Sequence, residues 1–249
     1  MGVLEKETNG RRRISITQNP HYPRLAVKCG ENQYSRHSHV HQTWSLGYVL
    51  QGRTLVSLGT WESELTEDQF IAVPSGIPHL CSPETGNPFS FIVLYIPTEY
   101  LDIRTPEFSQ PRIGEIDSKV LFDLIDLFMQ ATNKSELDNN SESLQKFLNK
   151  NSSPLDEEWG ENLLEKEILF TQESPYGSRF QLYRYTRKLF GLGQKKISTI
   201  GKMEHAKILM SEGLNLAEIA VECGFYDQSH FSKVFKLYTG LTPTQYMKK

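Results

Sequence analysis

Cysteine is scarce in this sequence. Its 249 residues include three, Cys29, Cys81 and Cys223. They are far apart, odd in number and show no CxxC spacing, which excludes a disulfide framework and a cysteine-rich zinc site and suits a reducing compartment. Long hydrophobic runs are missing too. None approaches the ~18 apolar residues of a membrane span. The opening residues, Met1-Gly2-Val3-Leu4-Glu5-Lys6, lack the apolar stretch of a secretory signal. A cytoplasmic protein with no membrane partner is expected. Nor does charge of either sign dominate: 27 Lys and Arg stand against 30 Asp and Glu, a net of −3. Taken alone, that balance argues against nucleic acid.

The small net charge conceals a division. Residues 176–249 carry 12 basic and 5 acidic side chains, a net of +7, while residues 1–175 carry a net of −10. Such asymmetry points to a nucleic-acid or membrane partner for the basic part. A length of 249 residues also fits two domains of ~100–150 residues each.

Residues 22–98 read as β-rich. Short apolar stretches at 43–50, 54–57, 69–73 and 89–96 are separated by turn signals such as Gln51-Gly52, Pro74-Ser75-Gly76 and Gly86-Asn87-Pro88. This spacing predicts a sandwich or barrel. The period changes at 117–131, where Val120, Leu121, Leu124, Ile125, Leu127 and Phe128 fall at helical spacing. The stretch 136–157 is rich in Asn, Ser, Glu and Lys and reads as a linker enclosing a short helix at 142–149. From 158 the pattern is helical to residue 249.

Within that helical region, Leu216, Ile219, Ala220 and Cys223 form one apolar stripe, with Asn215 as cap and Glu218 as its capping-box partner. Gly224 ends the helix. A second helix begins near Asp227 with Phe231, Val234, Phe235 and Tyr238 as its stripe. Its other face carries Ser229, Ser232, Lys233 and Lys236, with Gln228 and His230 at the start. Two short helices joined by a tight turn, the second polar and basic on its outer face, make a helix-turn-helix suited to the major groove. A weaker copy lies over 178–190, and one long helix over 195–212 joins the two. At ~1.5 Å per residue that helix is a strut of ~27 Å, close to the ~34 Å of one DNA turn.

The ordered blocks 202–210, 216–225, 227–236 and Gly240-Leu241-Thr242-Pro243 resemble the AraC/XylS family of bacterial transcription regulators. The resemblance implies DNA read from the second helix of each helix-turn-helix. It places Arg179, Phe180, Tyr183, Arg184 and Arg187 on the first reader and Gln228, Ser229, His230, Ser232 and Lys233 on the second. Arg184 suits a bidentate contact to guanine and Gln228 suits adenine, while Lys188 and Lys236 suit phosphates.

The N-terminal part carries His37-Ser38-His39-Val40-His41, then Gly52, then Pro74-Ser75-Gly76-Ile77-Pro78-His79. These residues resemble the two cupin motifs, with Ser45 where the usual metal-binding glutamate would stand. Regulators of the family commonly carry such a barrel for effector binding and dimerisation. The expected architecture is therefore a two-domain α+β protein: a cupin-like β-barrel with flanking helices over 1–135, the linker over 136–157, and an all-α domain with two helix-turn-helix motifs over 158–249. The expected effector pocket is lined by His37, His39, His41 and His79 together with Trp44, Tyr48, Arg53 and Trp61. Without the glutamate no metal or other cofactor is expected, the alternative being a three-histidine site at His39, His41 and His79. The function expected is a ligand-responsive DNA-binding regulator, an activator and not an enzyme. Its expected partners are promoter DNA, a small-molecule effector, RNA polymerase and a second copy of the chain. The rival is a cupin metalloenzyme with a helical appendage.

Overall fold

A computed structural model describes residues 13–32, 38–41, 43–59, 61–84, 86–155, 187, 192–239 and 241–247. In chain order the N-terminal part forms β1 (Arg13–Gln18), β2 (Ala26–Glu31), β3 (Thr43–Gln51), β4 (Arg53–Leu58), β5 (Trp61–Thr66), β6 (Gln69–Val73), β7 (His79–Pro83), β8 (Ser90–Pro97), a one-turn helix α1 (Pro106–Ser109), β9 (Arg112–Glu115), α2 (Ser118–Met129), α3 (Lys134–Asn151) and β10 (Ser152–Pro154). Seven strands in the order β1-β2-β8-β3-β6-β9-β10 face a smaller sheet ordered β5-β4-β7. The pairings are antiparallel throughout.

The large sheet is covered on both faces, so its central strands are apolar on both sides. Along β3, Trp44, Leu46 and Tyr48 join β8 residues Ile92, Leu94 and Ile96 in one core, against Leu121, Leu124 and Phe128 of α2 and Leu144 and Leu148 of α3. The alternate residues point between the two sheets, where Val49, Ile71 and Val73 meet Val56, Leu58 and Leu65.

Asn19 fastens the first strands to α2. It is 1% exposed. Its amide nitrogen donates to the carbonyls of Phe128 at 3.0 Å and Ala131 at 2.9 Å, and its side-chain oxygen accepts from the backbone of His21 and Tyr22. The carbonyls left open at the end of a helix are thereby satisfied by a residue more than a hundred positions away.

The stretch 136–157 is not a linker over its first two thirds. Residues 134–151 form the 18-residue helix α3, capped by Asn133. Leu137, Leu144 and Leu148 are fully buried in the N-terminal core. Ser152–Pro154 then extend the large sheet by pairing with β9. The polar composition belongs to the outer face of α3, and three leucines at helical spacing suffice to anchor the inner one.

The C-terminal part contains α4 (Gln194–Ser211), α5 (Leu216–Glu222), α6 (Gln228–Thr239) and α7 (Pro243–Met247). Met203, Ala206 and Met210 of α4 pack with Ile219, Ala220 and Cys223 of α5 and with Phe231 and Phe235 of α6. No helix among the described residues is long and apolar enough to cross a membrane.

Candidate functional site

The pair α5–α6 is built from local signals. Asn215 caps α5 by accepting from the backbone of Ala217 and Glu218, and the Glu218 carboxylate accepts from the Asn215 backbone in return. Gly224 leaves α5 with φ at +65°, the left-handed conformation that favours glycine. The Asp227 side chain accepts from the His230 backbone at 2.7 Å and starts α6. With Phe231 and Phe235 buried, the opposite face presents Gln228, Ser229, His230, Lys233 and Lys236 to solvent and Ser232 half-buried. His230 is not a free-standing polar group, since its ring lies edge-on to Phe225 at 5.4 Å.

Two residues that sequence reasoning left without a role belong to this unit. Lys202 on α4 donates to the Gly224 carbonyl at 2.9 Å, and its ammonium lies 5.2 Å from the centre of the Phe225 ring. It ties the long helix to the turn. Tyr226, at that turn, is 94% exposed. Of the first proposed reader, Arg187 lies on a helix and is exposed. Arg179, Phe180, Tyr183, Arg184 and Lys188 lie outside the described residues.

The second region gathers around three imidazoles. His39 and His79 pair through an isolated antiparallel bridge, with both backbone hydrogen bonds at 2.9 Å. His41 is two residues on. The ring centres of the three are 4.5–4.9 Å apart, and one ligand nitrogen from each falls within 4.8 Å of the others. His79 Nδ1–H donates to the Ile77 carbonyl at 2.9 Å, which turns Nε2 away as the free lone pair. Tyr95 stacks edge-on against His41 at 4.7 Å. Burial, reinforced by His39 and His79 and then by Lys207 and Lys28, holds His41 well below the ordinary imidazole range. Burial likewise holds His79 at about 4, against the opposing pull of the Ile77 carbonyl.

The imidazoles stand between two cavities. One, about 80 Å³, lies inside the barrel beside Ser45, Gly47, Tyr48 and Val93. The other is a cleft of about 590 Å³ between the barrel and the helical domain. Its barrel wall includes Ile16, Ala26, Lys28, His39, His41 and Tyr95, and its helical wall includes Glu204, Lys207, Ile208 and Met210 of α4 with Tyr246 of α7. Lys207 pairs with Glu204. Burial works against the Lys207 charge, but Glu204 and Tyr246 outweigh it and keep the ammonium strongly protonated. Burial raises the Tyr95 hydroxyl well above its usual range, helped by Tyr246 and Glu204 across the cleft.

Several expected pocket residues are elsewhere. Trp44 is fully buried in the core under the helices, edge-on to Phe108. Strand alternation puts it opposite Ser45, on the face away from the barrel interior. Arg53 is on the surface with Glu64 and Glu84. Trp61 packs half-buried against the core between the sheets. Tyr48 borders the inner cavity, but its side chain belongs with Trp44 to the core under the helices, and its hydroxyl donates to Asp68 at 2.5 Å and anchors the strand. His37 lies outside the described residues.

An antiparallel β domain of two facing sheets with an internal cavity, joined through a cleft to a helix-turn-helix, defines a two-domain regulator with an N-terminal sensor. The comparisons with known proteins agree. Residues 24–156 match the AraC-like ligand binding domain, and residues 177–249 match a helix-turn-helix domain. The chain belongs to the AraC family of transcription regulators. It is 27% identical over 130 residues to the Msm operon regulatory protein of Streptococcus mutans, covering 52% of this chain and 46% of that one. It is 32% identical over 60 residues to the regulator GadX of Escherichia coli, covering 24% of this chain and 22% of that one. The chain thus spans about half or less of the curated relatives it matches. Across 98% of its length it shares the fold of Vibrio cholerae ToxT bound to an unsaturated fatty acid, with a TM-score of 0.56 at 12% identity over 97% of that chain. Apo ToxT gives a TM-score of 0.53 at 15% identity, over 98% of this chain and 99% of that one.

Proposed function

We propose that the protein is an effector-responsive, sequence-specific DNA-binding regulator that activates transcription as a dimer in the cytoplasm, with RNA polymerase as a further partner and no catalysis of its own. The observation that carries the DNA reading is the outer face of α6. Gln228, Ser229 and Lys233 are exposed on a helix whose other face is fixed by Phe231 and Phe235. Gln228, Ser229, Ser232 and Lys233 read base edges, and Lys236 meets phosphate. Tyr226 adds a contact to the DNA backbone beside the start of α6. The effector lies in the cleft. Lys28 and Lys207 offer positive charge there, and Ile16, Ile208 and Met210 offer an apolar wall. That chemistry suits an amphipathic anion, the class to which the fatty acid in the ToxT complex belongs.

A salt titration of binding to selected genomic DNA tests the DNA reading. The logarithm of affinity should fall linearly with the logarithm of salt concentration. Lys233→Ala should weaken specific binding by ~1–3 kcal/mol and relax preference at one base position. Binding indifferent to salt would sink the proposal.

A further inference from the structure

We propose that Glu204 is the specificity-determining residue of the cleft and sets how much negative charge a ligand may carry there: a head with one charge is accepted and a head with two is rejected. The inference rests on the reading of the cleft as an effector site.

The cleft is positive where it meets the barrel, but less so than its lysines alone would make it. Lys28 on β2 and Lys207 on α4 both line it, and both act electrostatically on His41 and His79. Those two imidazoles add no charge at neutral pH, since burial holds His41 well below its ordinary range and His79 at about 4. Glu204 stands one turn before Lys207 on α4, lines the same cleft and accepts from the Lys207 ammonium. Of the other charged lining groups, Arg24 pairs with Glu99 on the surface and Glu212 is exposed, so water screens both. Among the described residues, two ammonium groups and one carboxylate therefore dominate the field between the two walls. A head with one negative charge balances them, and a second charge is set against Glu204.

Two observations separate a selecting role for Glu204 from a packing one. The Glu204 side chain is 7% exposed and that of Lys207 21%, so their charges are poorly screened. The field of Glu204 also reaches the opposite wall, where it adds to burial and Tyr246 in raising the Tyr95 hydroxyl. A head held between Lys28 and Lys207 lies within the same reach. Stability does not account for the pair, because an ion pair taken out of water gives little that two well-packed apolar side chains would not. Tyr95 and Tyr246 complete the preference. Both line the cleft and burial keeps both hydroxyls protonated, so they offer hydrogen bonds to a carboxylate without altering the charge.

Two probes with the same alkyl chain isolate the charge: laurate, singly charged, and monododecyl phosphate, doubly charged at pH 8. Each is titrated calorimetrically into the full chain below its micellar concentration. The parent should bind laurate more tightly. Glu204→Gln keeps the size of the side chain and removes its charge. It should shift the ratio of affinities toward the phosphate by roughly tenfold or more, the effect of one repulsive charge pair removed from a poorly screened site. A packing role would instead weaken both probes alike and leave the ratio unmoved. Glu204→Asp keeps the charge and should retain the parent's preference. Glu204→Gln leaves Lys207 buried without its counter-ion, so the same substitution is also made in Lys207→Gln, where no ammonium is orphaned. There too the ratio should move toward the phosphate by a similar factor. An unchanged ratio in either folded background, a shift toward laurate, or a parent that binds the phosphate as tightly as laurate would each overturn the inference. Laurate binding with an unchanged ratio defeats this inference alone, whereas no binding of either probe defeats the effector reading and this inference with it.

Discussion

Single residues decide this fold where a polar group is buried or a backbone is crowded. Asn19 replaces solvent for the carbonyls of Phe128, Met129 and Ala131 at the end of α2 and turns the chain through its own side-chain oxygen. Asn19→Leu keeps much of the volume and removes all of these bonds. Each buried group left without a partner costs ~1–3 kcal/mol, so a loss of at least that size is expected in urea denaturation of the full chain. Asn19→Asp should not rescue the loss: it keeps the oxygen that accepts from His21 and Tyr22, but sets a second, acceptor-only oxygen against the helix-end carbonyls in a buried site. Gly52 shows the crowding case. Its φ is +84°, and a Cβ there would lie 2.3 Å from the Pro88 carbonyl oxygen. The cupin resemblance singled out this glycine, and the structure supplies the reason for it. Gly52→Ala should destabilise the barrel by more than the ~1 kcal/mol of an ordinary left-handed residue, measurable as a lowered Tm.

At the scale of elements, signals confined to a few neighbouring residues were legible in the sequence. The Asn215–Glu218 box, Gly224 and the Phe231–Phe235 stripe delimit α5 and α6 without reference to the rest of the chain. The strands over 43–51 and 90–97 were equally plain, since β-branched and aromatic residues there meet clear turn signals. What could not be read was tertiary. The polar surface of α3 masks its buried leucines, so composition pointed to a linker. The two faces of β3 are both buried, so alternation alone does not say which face lines the cavity, and Trp44 lies on the face that packs under the helices. Lys202 is a further case: nothing local announces that its ammonium serves a carbonyl 22 residues away. A cation at the end of a helix and over an aromatic face contributes ~0.5–2 kcal/mol. Lys202→Met should therefore lower the stability of the helical domain by that amount in thermal unfolding. It should also weaken DNA binding through the loosened α5–α6 turn, although Lys202 need touch no DNA.

For the molecule as a whole, the question is how a ligand in the cleft reaches the DNA-reading helix. The cleft has one wall in each domain, and its helical wall is built on α4, with Tyr238 and Thr239 of α6 and Tyr246 of α7 beside it; residues of α4 also form the core that seats α5 and α6. A ligand bridging Lys28 and Lys207 therefore binds one disposition of α4 against the barrel better than others, and differential affinity is what shifts a conformational equilibrium. Linkage makes this testable without knowledge of the natural effector. With oleate as the probe, the factor by which oleate changes the affinity for a selected DNA fragment must equal the factor by which that DNA changes the affinity for oleate. Coupling of ~5–150-fold is the ordinary range for such a device. Lys207→Gln removes the cationic partner on α4 and frees Glu204 of its ion pair, while α6 and its exposed face are untouched. The expected result is a variant that binds DNA like the parent when oleate is absent, but in which oleate and DNA no longer affect one another. Undiminished coupling in Lys207→Gln would show that the signal does not pass through α4, and an oleate effect without the reciprocal DNA effect would show that oleate acts elsewhere than on the folded, DNA-binding state.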